Sequence, residues 1–168
     1  PILLLGFLLV AAALRPAVSS VGTVLPEIQA DLGLTSAGAA LLTSLPLLCF
    51  GLLAPLAPRL GRRLGIEPTL GAAVAVIVTG LIVRLGPGAA SVFAGTILIG
   101  GAIALANVLM PALVRRDFPR HVGLMTGIYT GSMTVASTIA AAVTVPLSLA
   151  SGLGWRGGLG FWALPAAI

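Results

Sequence analysis

The sequence predicts an all-α protein, a polytopic bundle of transmembrane helices. Of its 168 residues, 58% are hydrophobic and only 8% are charged, whereas about a quarter of the residues in an ordinary soluble domain are charged. The apolar residues also fall into runs of about 20, which is the length that a helix needs to cross the hydrocarbon core of a bilayer. Both observations indicate an integral membrane protein.

Charged or Gly/Pro-rich links divide the chain into predicted spans, which we place in one transmembrane domain, residues 1–168. The spans lie near residues 2–25, 36–58, 68–86, 91–114, 122–146 and 157–168. The first run is too long for a secretory signal peptide and lacks a basic start, so we predict a retained span. Because there is no initiator methionine and the last apolar run stops at Ile168, we expect a fragment whose last span is truncated.

The links are short, so successive helices should be antiparallel neighbours. Thr35 precedes the second span and is a candidate N-cap, because a threonine hydroxyl can accept a hydrogen bond from a backbone N–H of the first helical turn. Glycine and proline are abundant, at 22 and 12 residues, which in lipid indicates close helix packing rather than loops.

Arginines in the links predict the topology. Six of them follow the second and fourth spans: Arg59, Arg62, Arg63, Arg115, Arg116 and Arg120. Because positively charged short loops stay in the cytoplasm, we predict a multi-pass protein of the plasma or inner membrane with a cytoplasmic N-terminus. Arg84 lies near the outer end of the third span, where we expect its side chain to extend to the headgroups.

Arg15, followed by Pro16, interrupts the first apolar run far from either end. A guanidinium at bilayer depth costs from a few to more than ~10 kcal/mol unless protein or water solvates it, so Arg15 should face a polar interior. Its planar, permanently charged fork suits a small anion. Ser19, one helical turn further, shares that face, although its hydroxyl could instead bond to its own helix. The alternative for Arg15 is a structural charge that donates to carbonyls of neighbouring helices.

Asn107 and Tyr129 complete the predicted substrate-binding set with Arg15 and Ser19. Asn107 lies well inside the fourth span, where its amide could hold a solute or a neighbouring helix. Tyr129 in the fifth span offers an aromatic face and a hydroxyl, although ordinary packing would also explain it. We expect the single cysteine, Cys49, to be a packing residue, and we predict neither a cofactor nor a metal.

Small residues repeat every fourth position in the fifth span, at Gly123, Gly127 and Gly131. Such a face lets two helix backbones approach closely in lipid. We expect it to pack tightly against another helix, and the second span, with Pro46, Gly51 and Pro55, is the candidate.

The link after the second span resembles a signature of the major facilitator superfamily. That signature, between helices two and three, is usually written G-x-x-x-D-R-x-G-R-R, and residues 54–63 read APLAPRLGRR. Ala54 and Pro58 stand where the signature has its first glycine and its aspartate. The resemblance implies a cytoplasmic loop motif with a role in the conformational change, and four of its positions match: Arg59, Gly61, Arg62 and Arg63.

Further segments resemble the branch of this superfamily that contains cyanate and 2-nitroimidazole transporters: residues 14–17, 25–28, 107–111, 115–119 and 123–127. Members have two six-helix halves, with the solute held between them and exposed alternately to either side. The resemblance implies that this chain is an N-terminal half. Its partners would then be a small-molecule solute, the lipid bilayer, and either the missing C-terminal six-helix half or a second copy.

The leading functional hypothesis is secondary active transport of a small anionic or polar solute, cyanate-like, by alternating access. The alternative is export of a neutral, drug-like heteroaromatic compound of the 2-nitroimidazole type, for which Arg15 would be architectural. All four acids, Glu27, Asp31, Glu67 and Asp117, fall at span ends, so the sequence offers no obvious carboxylate proton relay within the membrane.

Other classes of function are disfavoured. An intramembrane enzyme is a remote alternative. A serine hydrolase would need Ser132 and a histidine to face each other inside the bundle, but the sole histidine, His121, lies in a link. ATP-driven transport needs a phosphate-binding loop with lysine, and the chain has no lysine. Nucleic acid is not an expected partner, since the basic residues are spread over short links rather than gathered on one solvated face.

Overall fold

The computed structural model describes residues 15–150 and 152–163, and every regular element in those ranges is helical, which confirms the all-α class. The helices in chain order are α1 Pro16–Thr23, α2 Leu25–Leu32, α3 Ser36–Leu53, α4 Ala57–Leu64, α5 Ile66–Arg84, α6 Gly88–Asp117, α7 Val122–Ala150 and α8 Trp155–Gly160, with a 3₁₀ turn at Ala54–Leu56 between α3 and α4.

Four helical segments of this part of the chain are long and apolar enough to cross a membrane: Ser36–Leu64, Ile66–Arg84, Gly88–Asp117 and Val122–Ala150. Most of the predicted first span falls on residues 1–14, and the end of the predicted last span falls on residues 164–168. Both stretches lie outside the described residues.

Local sequence signals explain several helix ends. The Thr35 hydroxyl accepts a hydrogen bond from the Gly38 N–H at 3.2 Å, so Thr35 is the N-cap of α3, as predicted. The stretch after Val24, expected to be a link, is the helix α2, because Pro26 in its first turn has a backbone angle suited to a helix start. Gly33 ends α2 in the left-handed region, with φ of 59°.

The helix α6 is the centre of the bundle. It packs most extensively against α5 and also contacts α1, α3 and α7. Close approach of α5 and α6 depends on Gly80 and Gly95, since a Cβ at Gly95 would lie 2.5 Å from the Gly80 carbonyl oxygen. On another side of α6, a Cβ at Gly100 would lie 3.0 Å from Pro46 Cα of α3. Glycines of α6 thus set its distance from both neighbours.

The glycine face of α7 does not pack as the sequence suggested. Gly123, Gly127 and Gly131 are exposed, and a Cβ on any of them would meet no described atom within 4 Å. Among the described residues this face does not meet the second span, whose Pro46 lies against Gly100 of α6. Its packing against another helix stays a prediction. A small-xxx-small pattern indicates that a helix can approach closely, but it does not identify the partner helix.

Ion pairs tie the ends of the helices together. Arg116, near the end of α6, pairs with Glu67 at the start of α5 and with its neighbour Asp117. At the opposite end, Asp31 of α2 accepts hydrogen bonds from the Trp155 indole at 3.1 Å and from Arg156 at 2.8 Å. These two donors, Trp155 foremost, hold the pKa of Asp31 below its ordinary value.

Candidate functional site

A partly enclosed cavity of about 170 Å³ lies between α1, α3, α5 and α6. We call it the Arg84 cavity. Much of its wall is apolar, with Leu42, Pro46 and Ile99 among its lining residues. Four polar side chains also line it: Ser19, Thr43, Arg84 and Thr96.

Arg84 is the last residue of α5, and only 1% of it is exposed. Its Nη1 donates to the Ala17 carbonyl oxygen of α1 at 3.0 Å. Neither Nε nor Nη2 has a hydrogen-bond partner among the described residues. The prediction that this side chain extends to the headgroups is therefore wrong: the tight contact of α5 with α6 and the cover of α1 keep it inside the bundle.

The hydroxyls in the cavity wall are already engaged as donors. Ser19 Oγ donates to the Arg15 carbonyl at 2.9 Å, and Thr96 Oγ1 donates to the Val92 carbonyl at 2.7 Å. Thr43 Oγ1 donates to the Ala40 carbonyl at 2.9 Å. A hydroxyl has a single proton to donate. Among the polar side chains that line the cavity, Arg84 therefore supplies the free N–H groups.

Arg15 is the N-cap of α1 and its side chain is exposed, two residues before Ala17, the first residue of α1 that lines the cavity. Its carbonyl accepts hydrogen bonds from the Ser19 backbone N–H and hydroxyl. Of the predicted substrate-binding residues, Ser19 lines the Arg84 cavity and Arg15 does not. A contact between Arg15 and a solute stays a prediction.

Asn107 and Tyr129 also lie outside the lining of the Arg84 cavity. Asn107 is exposed on α6, a helix long and apolar enough to cross a membrane. Tyr129 is half-buried against the main hydrophobic core. The structure therefore does not gather the four predicted residues into one pocket of this chain.

The loop-motif residues form the short helix α4. Arg59, Arg62 and Arg63 are exposed. Gly61 faces α6, since a Cβ there would lie 2.8 Å from Leu109 Cδ2. This glycine lets α4 lie close to α6, and the three arginines stay on the surface of the described chain.

A second, larger cavity of about 350 Å³ lies between the α3–α4 segment, α5 and α6. We call it the apolar cavity. Leu53, Leu60, Ala73 and Leu105 are among its lining residues, and no charged side chain lines it. It suits a lipid chain or a neutral apolar solute rather than an anion.

The cysteine, serine and histidine considered for other kinds of chemistry are not grouped into a site in the described chain. Cys49 is buried and its sulfur lies 3.8 Å from the Ile97 carbonyl oxygen of α6, which fits the packing role that the sequence suggested. Ser132 Oγ donates to the Tyr129 carbonyl of its own helix at 2.8 Å, and His121 is exposed.

Sequence reasoning missed Arg84 as a cavity residue, although a signal for it exists. Gly80 lies four residues before Arg84, so the two share a face of α5. A glycine allows a second helix to approach that face closely, and a charge one turn away on the same face can then be buried.

Known proteins resemble this chain over nearly its whole length. The Major Facilitator Superfamily model matches residues 4–168. A 2-nitroimidazole transporter of Escherichia coli K12 is 43% identical over 94% of this chain and 40% of its own length. An uncharacterized transporter of Bacillus subtilis 168 is 41% identical over 95% of the chain and 40% of its own length.

A cyanate transport protein of Escherichia coli K12 is more distant, at 29% identity over 99% of this chain and 43% of its own length. The chain thus spans about 40% of the length of the curated relatives that it matches.

Proposed function

The chain belongs to the major facilitator superfamily, and from that premise we propose that it is the N-terminal half of a secondary active transporter for a small anionic or polar solute. Alternating access would expose the solute to either side of the membrane. The observation that supports this proposal is the Arg84 cavity, a chamber between helices that holds a buried positive charge. A charge in such a place costs several kcal/mol unless a counter-charge or water meets it.

Exposed polar groups on the described helices support the proposal of a partner half. Arg15 and Asn107 are exposed, and so is the α7 face with Gly123 and Gly127. Lipid is a poor neighbour for the first two groups. We therefore propose that these faces meet the C-terminal half or a second copy, with Arg15, Ser19, Asn107 and Tyr129 bordering the solute path between the halves.

The membrane arrangement is part of the same proposal. The arginine-rich α4 and Arg116 lie in the links that the charge distribution assigns to the cytoplasm, so the N-terminus would also be cytoplasmic. On this topology the Arg84 cavity lies in the outer part of the bundle. In a bacterium, the membrane would be the inner membrane.

A second candidate solute is a neutral heteroaromatic compound. The apolar cavity suits such a molecule, and the relative at 43% identity is a 2-nitroimidazole transporter. The relative named for cyanate transport supports the anion. If the solute is neutral, Arg84 and Arg15 would have a structural role instead of binding the solute.

Competition in vesicles separates the two solutes. We expect the complete transporter, reconstituted in lipid vesicles, to move labelled cyanate, and we expect excess formate to reduce that flux at least about tenfold. Excess 2-nitroimidazole should reduce it far less. Empty vesicles and vesicles with an unrelated membrane protein give the background. Movement of labelled 2-nitroimidazole without any movement of an anion would contradict the anion proposal.

A measurement of mass identifies the partner. If two copies of this chain form the unit, the chain purified in detergent should have twice the mass of one chain. A monomeric mass would instead favour the C-terminal half as the partner.

A further inference from the structure

The guanidinium of Arg84 is hydrogen-bonded at one nitrogen, and the other two nitrogens have no partner among the described residues. Nη1 donates to the Ala17 carbonyl, while Nε and Nη2 have no partner among the described residues. In a guanidinium, the N–H of Nε and one N–H of Nη2 lie on the same edge and point in the same direction. The Nε–H and the adjacent Nη2–H of Arg84 therefore form a fork, the arrangement that binds two acceptor atoms of one planar group.

The chain supplies no negative charge to this fork. It has four acidic residues in total. Asp31 pairs with Arg156, while Glu67 and Asp117 pair with Arg116. The remaining acid, Glu27, forms no ion pair with Arg84 either. Any counter-charge for Arg84 would therefore come from outside the chain.

The surroundings of the fork favour a small anion with a single charge. The cavity is bounded by four helices of this chain and has room for several water molecules. Arg84 is the one cationic side chain in its lining, so a doubly charged anion would keep half of its charge unmatched.

We propose that the Arg84 cavity binds a small, planar, monovalent anion with two oxygens on one atom, held by the Nε and Nη2 fork of Arg84. Carboxylates such as formate have this form. Cyanate is linear and carries its acceptor atoms at opposite ends, so it matches the charge of the site but not the fork. This inference rests on the proposed function and names the shape of anion that its site prefers.

Binding of formate and cyanate to the complete transporter tests the proposal by isothermal titration calorimetry in detergent. The variant Arg84→Lys keeps the charge and loses the fork. We expect the ratio of formate affinity to cyanate affinity to fall at least about tenfold in this variant, because a hydrogen bond to a charged group is worth at least about that factor. Hydration of the free anions cancels in the comparison. Arg120→Lys, at an exposed arginine, is the matched control and should keep the wild-type ratio.

Three results would overturn the inference: an unchanged ratio in Arg84→Lys, an equal fall in Arg120→Lys, or no anion binding by the wild type. The last result is expected if a carboxylate of the other half fills the fork. Vesicle flux is a separate measurement. A protein that binds formate through Arg84 and moves no anion contradicts the proposed function alone, whereas anion flux with an unchanged ratio contradicts the inference alone.

Discussion

Replacing Gly95 by alanine should destabilise the protein by about 3 kcal/mol, the upper part of the range for overpacking a tight contact. The new Cβ would lie 2.5 Å from the Gly80 carbonyl oxygen, 2.7 Å from Arg84 Cβ and 2.8 Å from the Arg84 backbone nitrogen. Two of these atoms are backbone, so no side-chain rotation relieves the clash. The helices α5 and α6 would have to separate, and Arg84 would move with α5.

The matched control is Gly71→Ala, on the exposed side of α5. A Cβ there would meet no described atom within 4 Å, so a change within about 0.5 kcal/mol is expected. Thermal unfolding in detergent, followed by the loss of monodisperse protein, measures both variants. Equal stability of the two variants would show that α5 and α6 are not packed as closely as described.

Replacing Arg84 by methionine should reduce anion flux at least about a hundredfold, because the cavity loses its free cationic donors. The same change should not lower the melting temperature. An unpaired buried charge is a cost to the fold, and methionine fills similar space without that charge. The Ala17 carbonyl loses one donor but keeps its place in the helix α1.

The paired readouts distinguish a binding residue from a structural one. Flux is measured in vesicles, and melting temperature is measured on the same preparation in detergent. A variant that melts at a much lower temperature and loses flux in proportion would make Arg84 an architectural residue.

Arg15→Ala belongs in the same series. We predict that this variant loses uptake while its membrane insertion stays normal, and full activity would remove Arg15 from the mechanism.

Local features of the fold could be predicted from the sequence. The Thr35 cap follows from a hydroxyl placed directly before an apolar run. The all-α class follows from runs long enough to cross the bilayer. Each of these features depends on residues that are close together in the chain.

Features set by distant contacts were predicted less well. The burial of Arg84 depends on Gly80 of α5 meeting Gly95 of α6. The partner of the α7 glycine face could not be identified from its spacing: in the described chain Pro46 lies against Gly100 of α6, and the face itself meets no described atom within 4 Å. Hydropathy shows that Arg84 lies near the end of a span, but it does not show whether the side chain turns outward to the headgroups or inward to a cavity. Composition alone therefore could not predict the burial of Arg84.

The most direct test is an experimental structure of the complete transporter with saturating formate. The account predicts a formate ion in the Arg84 cavity, with its two oxygens within hydrogen-bond distance of Arg84 Nε and Nη2. Two observations would contradict the account: a cavity with no anion at Arg84, or a carboxylate of the other half bound to Arg84 Nε and Nη2.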